Sequence, residues 1–150
     1  MRALVQRVSE SRVKVENRVI AEIGPGMLIL LGIEHSDTPN DIEWLTRKIG
    51  QLRIFPDDEN RMNRSITDIN GHILLISQFT LYASTKKGNR PSFTKAAKPE
   101  QAIPLYNEMI RSLEAAIGRE ISVGQFGADM KVQLTNDGPV TILIDSKYRE

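Results

Sequence analysis

Three polar residues at the end of an apolar run are the leading candidates for chemistry in this sequence. Ser77, Gln78 and Thr80 follow residues 73–76, which read Ile-Leu-Leu-Ile. Such a run is typical of a buried strand, and polar side chains at its end either face a pocket or bond local backbone groups. In the first case, the backbone N–H groups of Gln78, Phe79 and Thr80 can converge on an oxygen that becomes negative during acyl transfer. The residues alone leave both interpretations open.

A basic segment begins a few residues after this strand end. No Asp or Glu occurs between Asp68 and Glu100. The five basic residues of the interval are Lys86, Lys87, Arg90, Lys95 and Lys98. A loop of this charge is suited to contacts with phosphates, with Lys86, Lys87 and Arg90 as the candidates. The alternative is an ordinary solvated basic loop.

The sequence lacks the residues that other kinds of catalytic site need. Cysteine is absent, which excludes disulfides, thiol nucleophiles and thiolate metal ligands. Neither His35 nor His72 has the helical partner of a metalloprotease, no serine lies in a Gly-x-Ser-x-Gly turn, and no glycine-rich phosphate loop is present. The acidic cluster in residues 57–63 lacks the ligand spacing of a calcium loop. We therefore expect neither a metal site nor a cofactor.

Strands and turns must position these candidates. Alternation of polar and apolar residues predicts strands over residues 2–8 and 12–16. The Gly-Pro-Gly turn at residues 24–26 predicts a hairpin between residues 19–23 and a buried strand over residues 27–31.

Two helices are expected, because apolar residues recur at helical spacing and each stretch ends at a glycine. The first runs from Asp37 or Thr38 to Gly50, and the second covers residues 99–117. The remaining expected elements are a polar surface loop over residues 56–71 and strands over residues 121–123, 130–134 and 140–144, the last two joined by a turn at residues 135–139.

Length and composition indicate one domain over residues 1–150. With 40% hydrophobic and 26% charged residues, the chain is typical of a soluble globular protein. No apolar run is long enough to span a bilayer, so we expect no membrane role. Because the first residues lack the apolar core of a secretory signal, we expect a cytoplasmic protein.

Two motifs of the chain resemble the signatures of a known family. Residues 77–81, Ser-Gln-Phe-Thr-Leu, and residues 136–141, Asn-Asp-Gly-Pro-Val-Thr, resemble the two signature motifs of the D-aminoacyl-tRNA deacylases, or D-tyrosyl-tRNA deacylases. The resemblance begins at residues 1–8, Met-Arg-Ala-Leu-Val-Gln-Arg-Val, and covers essentially the whole chain. Both motifs at this spacing, in a chain of this length, are hard to reach by chance.

The resemblance implies a chiral proofreading enzyme. Such an enzyme hydrolyses the ester between a D-amino acid and tRNA, also acts on glycyl-tRNA mischarged on tRNA(Ala), and rejects L-aminoacyl-tRNA. It implies a homodimer in which Gly138 and Pro139, joined by a cis bond, enter the active site of the twofold partner. We expect an α+β (mixed α/β) fold, with largely antiparallel sheets curled like a barrel and two main helices.

The resemblance also suggests roles for single residues. Ser77, Gln78, Phe79 and Thr80 are the candidate catalytic residues, with Thr80 acting either as a nucleophile or as a group that positions water assisted by the ribose 2′-hydroxyl. Arg7 either supports the loop that carries Gly138 or is an ordinary exposed arginine of a strand.

Two other classes of protein fit the same residues. One is a non-catalytic tRNA- or RNA-binding module that uses the basic segment and a stacking Phe93. The other is a structural or oligomerisation domain in which both motifs are only turn and strand-end chemistry.

Overall fold

Residues 1–149, which the computed structural model describes, form eight strands, two α-helices and one 3₁₀ turn. The strands are β1 (Arg2–Val15), β2 (Arg18–Ile23), β3 (Gly26–Gly32), β4 (Phe55–Pro56), β5 (Met62–Arg64), β6 (His72–Ser77), β7 (Ser122–Val123) and β8 (Met130–Asp145). The helices are α1 (Pro39–Gly50) and α2 (Pro99–Ile117), and the 3₁₀ turn, Phe79–Tyr82, is called the 79–82 turn below. The expected α+β class with two main helices and a curled, nearly closed sheet is confirmed.

The long strand β1 organises the main sheet. It pairs antiparallel with β3 through residues 2–8, with β2 through residues 11–15, and with β8 along nearly its whole length. Strands β3, β6 and β7 are parallel to one another. Leu31 pairs with Ser77, so β3 and β6 end side by side. Their carboxyl ends therefore open at one edge of the sheet, which is where sites of parallel sheets form.

Strands β3 and β6 are apolar on both faces because each face is covered. On the concave face of the curled sheet, Leu28, Leu74 and Ile76 pack in one buried cluster. On the other face, Ile29 and Leu75 pack in a larger cluster that includes both helices. A strand buried on both faces reads as a continuous apolar run, which is the pattern of residues 73–76.

Each helix buries one stripe against the sheet. The fully buried stripe residues are Ile42, Leu45 and Ile49 in α1 and Met109 and Leu113 in α2. The backbone N–H of Thr38 donates to the Asp41 carboxylate at 2.9 Å, which satisfies one free donor at the start of α1. Helix α2 has the predicted bounds and is followed by Gly118, whose φ of +72° suits glycine. No helix within residues 1–149 combines the length and apolar character needed to cross a membrane.

The predicted turn between the last two strands is wrong. Strand β8 runs without reversal through residues 130–145, and both of its halves pair with β1. The register shifts between Val8, which lies opposite Asn136, and Gln6, which lies opposite Thr141. The extra residues protrude from the sheet as a loop, which we call the 136–139 loop.

Two smaller expectations also differ from the structure. Residues 2–15 form one strand, where two separate strands were predicted. The predicted surface loop at residues 56–71 contains the small antiparallel pair β4–β5 and the fully buried Ile66. This segment therefore closes one side of the helix-covered core.

Candidate active site

A cleft of about 270 Å³ opens where β6 ends. Its walls come from four parts of the chain: residues 31 and 33 at the end of β3, the strand end at residues 76–79, residues 97 and 102 at the start of α2, and residues 126–132 at the start of β8. Ser77, Gln78 and Phe79 line this cleft, so these three predicted site residues share one pocket. Thr80 is exposed and is not among the residues that line the cleft.

The backbone of the strand end leaves two donors free. The N–H of Gln78 donates to the Leu31 carbonyl at 2.7 Å and so continues the pairing with β3. In the 79–82 turn, the first internal bond runs from the Leu81 N–H to the Gln78 carbonyl at 3.2 Å. The N–H groups of Phe79 and Thr80 have no partner within residues 1–149. The expectation of three converging N–H groups is therefore wrong for Gln78, whose donor is used by the sheet.

Thr80 has one polar neighbour. Its Oγ1 accepts a hydrogen bond from Nε2 of Gln78. Within the described part of the chain, no histidine, lysine or carboxylate bonds this hydroxyl. A threonine nucleophile needs a base within hydrogen-bond reach, so the geometry favours a positioning role for Thr80.

Phe79 is an exposed aromatic beside the cleft. Its side chain is 56% exposed, which is unusual for an aromatic next to a pocket. Its ring meets that of Phe93 edge to face, with the centroids 5.0 Å apart. Exposed aromatic rings are the groups on which RNA-binding proteins stack unpaired bases.

The basic segment forms an arm next to these rings. Ser84 and Ser92 exchange two backbone hydrogen bonds, of 2.8 and 2.9 Å, and close a loop that carries Lys86, Lys87 and Arg90. All three side chains are exposed. None lies within ion-pair distance of a carboxylate among residues 1–149. Their charges are therefore available to an anionic partner.

The second motif lies on the 136–139 loop, where the Gly138–Pro139 peptide bond is cis and both residues are exposed. Arg7 holds this loop to the body of the protein. Its Nε donates to the Asp137 carbonyl at 2.7 Å, and its Nη1 donates to the Ile54 carbonyl at 2.6 Å. At the far side of the loop, the Val140 N–H donates to the Asn136 side chain at 2.7 Å.

One chain does not bring the two motifs together. The loop lies beside Arg7, which pairs with Met27 near the start of β3, whereas Ser77 pairs with Leu31 near its end. Four residues of strand separate these levels, or about 13 Å at about 3.3 Å per residue. The two motifs therefore lie level with opposite ends of β3.

Arg2 is a further residue at this site that is not among those predicted from the sequence. Its Nη1 donates to the Leu81 carbonyl at 2.9 Å, so it contacts the 79–82 turn directly. The two residues are 79 positions apart. No local pattern in the sequence indicates a contact of that separation.

Comparison with known proteins agrees with the motifs. The family model described as D-Tyr-tRNA(Tyr) deacylase matches residues 4–145. A D-aminoacyl-tRNA deacylase of Flavobacterium johnsoniae is 57% identical to this chain, and one of Bacteroides thetaiotaomicron is 59% identical, each over the full length of both chains.

Solved structures show the same fold. A structure described as c-Myc DNA Unwinding Element Binding Protein superimposes with a TM-score of 0.91 at 41% identity, covering 97% of this chain and 98% of the other. A probable eukaryotic D-amino acid tRNA deacylase has a TM-score of 0.81 at 16% identity, covering 95% and 97%, and shows likeness of fold alone. The relatives' shared activity favours an enzyme over a non-catalytic RNA-binding module. The chain therefore belongs to the D-Tyr-tRNA(Tyr) deacylase family and is a hydrolase that acts on aminoacyl-tRNA, as its two motifs predicted.

Proposed function

We propose that this enzyme hydrolyses the ester of D-aminoacyl-tRNA and of glycyl-tRNA in the cytoplasm, at an active site shared by two copies of the chain. The observation that carries the proposal is the separation of the two motifs. The cleft at the end of β6 lies level with the end of β3, whereas the 136–139 loop lies level with its start, and both are exposed. A second copy can supply the missing half of each site.

The outer edge of β8 supports an interface between copies. Within residues 1–149 this strand pairs with β1 alone, so its other edge has no partner strand. Leu143 on this strand is 58% exposed, and Leu134 is 36% exposed. A long unpaired edge with exposed apolar side chains is a surface that proteins cover.

Gly138 and Pro139 would then provide the chiral test. A backbone placed against the α-carbon of the substrate accepts its amino group and leaves no room for an L side chain, so discrimination comes mainly from exclusion. The two hydrogen bonds from Arg7 support this role, because they hold the loop on the body of the protein. Glycine has no side chain to exclude, which is why glycyl-tRNA is included in the proposal.

The chemical step needs few protein groups. Water attacks the ester carbonyl, the bond to the ribose oxygen breaks, and that oxygen leaves with a proton relayed through the 2′-hydroxyl. The free N–H groups of Phe79 and Thr80 would stabilise the negative oxygen formed on the way. Loss of one such donor costs about 100- to 1,000-fold in other enzymes, so two donors can supply much of the catalysis.

Recognition of tRNA would divide between two surfaces. The Phe79 and Phe93 rings would contact the terminal adenosine, since they are exposed beside the cleft. Lys86, Lys87 and Arg90 would contact phosphates of the acceptor stem.

The decisive experiment compares D- and L-tyrosyl-tRNA in one assay of ester loss. We expect hydrolysis of the D ester and no acceleration for the L ester. Equal rates for the two would contradict the chiral role of the 136–139 loop, and binding without release would contradict the enzyme.

One variant and one further substrate test the mechanism. Thr80→Ala should retain most of the rate if Thr80 only positions groups, and a loss as large as removing a nucleophile would reverse that assignment. A tRNA ending in 2′-deoxyadenosine, charged on its remaining hydroxyl, should react slowly if the 2′-hydroxyl assists.

A further inference from the structure

A pair of residues on neighbouring strands lies directly beneath the 79–82 turn. Arg2 of β1 and Gly32 of β3 are opposite each other in the sheet. Each contacts the turn in a different way, and neither belongs to the two motifs.

Gly32 contacts the turn through its backbone. A Cβ added at this position would lie 3.0 Å from Cβ of Leu81, 3.2 Å from the Gln78 carbonyl oxygen and 3.2 Å from Cδ2 of Tyr82. These separations are tighter than most Cβ contacts, so an alanine would press on Gln78, Leu81 and Tyr82 and displace them by a few tenths of an ångström. Glycine thus favours the close approach of the turn to the sheet, and its backbone angles are not the reason.

Arg2 contacts the turn through its guanidinium group. One nitrogen donates to the Leu81 carbonyl at 2.9 Å, and another donates to the Asp145 carboxylate at 2.8 Å. The group also lies over the ring of Tyr82, with its carbon 4.6 Å from the centroid. Only a planar group with several donors makes all three contacts at once, which a lysine cannot do.

The partners of Arg2 are themselves held in place. Asp145 accepts hydrogen bonds from the backbone N–H groups of Lys147 at 2.9 Å and Tyr148 at 3.2 Å. Tyr82 is buried, and its hydroxyl has no partner within residues 1–149, so packing rather than a hydrogen bond of its own holds it. The Arg2 guanidinium over the ring contributes to that packing.

We propose that Arg2 and Gly32 are positioning residues that set the place of the 79–82 turn, and with it the direction of the Phe79 and Thr80 N–H groups. Gly32 lets the turn approach the sheet, and Arg2 holds its carboxyl end to the last residue of β8. The effect on catalysis rests on the proposed role of these N–H groups, whereas the effect on the turn does not.

The test uses Arg2→Ala, Arg2→Lys and Gly32→Ala in the full chain, with Arg12→Ala as a matched control. Arg12 lies on the same strand and also bonds a β8 side chain, Gln133 at 3.0 Å, but it is distant from the turn. Backbone amide hydrogen exchange of residues 78–83 reports the turn, and kcat and KM for D-tyrosyl-tRNA report catalysis.

We expect exchange in this segment to rise about 5- to 10-fold in Arg2→Ala, with a similar fall in kcat and little change in KM, since about one hydrogen bond is removed. Arg2→Lys keeps the charge beside Asp145 and removes the Leu81 bond, so it should show an intermediate change. It also provides the test if Arg2→Ala does not fold. Gly32→Ala should raise exchange in the same residues, and Arg12→Ala should change neither readout.

The two readouts separate the positioning role of Arg2 from the catalytic role of the N–H groups. Exchange in Arg2→Ala and Arg2→Lys that matches Arg12→Ala overturns the positioning role. Faster exchange with unchanged kcat supports the positioning role and overturns the catalytic role of the Phe79 and Thr80 N–H groups.

Discussion

The two motif regions are built in opposite ways. Residues 77–82 lie at and after the end of a strand that is buried on both faces. The Gln78 N–H donates a hydrogen bond to the sheet, and the Leu81 carbonyl accepts one from Arg2. The 136–139 loop protrudes from β8 and is held by side chains, chiefly Arg7 and Asn136. Groups that stabilise a developing charge must be fixed before reaction, whereas groups that enter another subunit must protrude. The difference between the regions thus matches the two proposed roles.

The largest expected effect comes from breaking the protruding loop. Gly138 has a φ of +146°, and an added Cβ would lie 2.7 Å from Cγ2 and 2.9 Å from N of Val140. Gly138→Ala should therefore displace the loop and lower kcat/KM for D-tyrosyl-tRNA about 100-fold, the cost of a misplacement of about 1 Å.

The control for this variant is Gly118→Ala. Gly118 also has a positive φ, of +72°, but an added Cβ meets nothing within 4 Å. This variant should cost about 1 kcal/mol of stability, because an L residue is strained in the left-handed conformation, and should not change activity. Full activity in Gly138→Ala would contradict the proposal that the 136–139 loop belongs to the active site.

Arg7 allows the support of the loop to be tested. Arg7→Ala leaves the Ile54 carbonyl, in a nearly buried residue, without its donor, and frees the Asp137 carbonyl. We expect the free energy of unfolding to fall by about 2 kcal/mol in urea titrations, because the buried Ile54 carbonyl would be left without a hydrogen-bond donor. Discrimination between D and L esters should weaken as well. A variant with normal stability and discrimination would make Arg7 an ordinary strand arginine.

The basic segment should affect binding rather than chemistry. Replacing Lys86, Lys87 and Arg90 together by glutamine should raise KM about 10-fold and leave kcat unchanged. The plot of log affinity against log salt should become shallower by about 0.7 to 0.9 for each phosphate that the variant no longer neutralises. Arg18, Arg47 and Arg111, which are exposed elsewhere, provide the matched triple control. An unchanged salt dependence would contradict the role of the basic segment in binding phosphates.

The smallest expected effect depends on pH. It concerns Asp145, which accepts a hydrogen bond from Arg2, the residue that contacts the 79–82 turn. Burial raises the pKa of Asp145, but the hydrogen bonds from Arg2 and from the Lys147 and Tyr148 N–H groups lower it more, so the pKa lies below its ordinary value of 3.8. A carboxylate with a lowered pKa stabilises the fold above its ordinary pKa, and this stabilisation is lost as pH falls toward the folded value.

Asp145→Asn should therefore reduce the free energy of unfolding at neutral pH by about 1 kcal/mol. The difference between variant and parent should shrink as the pH falls below about 4, because the parent then loses the same interaction. A difference independent of pH would mean that the ion pair with Arg2 does not stabilise the fold.

Sequence reasoning succeeded where the signal is local. The apolar stripe and terminal Gly118 of α2 predict its bounds, and the run at residues 73–76 predicts a strand buried on both faces. It failed where the partner is remote. Turn-forming residues at 135–139 are compatible with a hairpin or with a loop on a continuous strand, and only pairing with β1 decides between them.

In the candidate site, too, local features could be predicted and contacts between remote residues could not. Residue types left open whether the strand end faces a pocket or bonds local backbone groups. They could not show that the Gln78 N–H is used by β3, because that bond joins residues 47 positions apart in the chain. The role of Arg2 depends on a contact across the fold for the same reason. Buried Ile66 was assigned to a polar loop because its neighbours are polar and its packing partners are distant in sequence.

The continuity of β8 has a consequence for how the enzyme can be altered. The halves before and after the 136–139 loop each have their own register with β1. When a residue is inserted in the loop or removed from it, the loop changes its length and the pairing of β8 with β1 stays the same. A shift of either half of β8 by one residue would move its buried side chains to the wrong face of the sheet. The loop that is proposed to select the substrate can thus be redesigned in length and sequence while the scaffold stays the same.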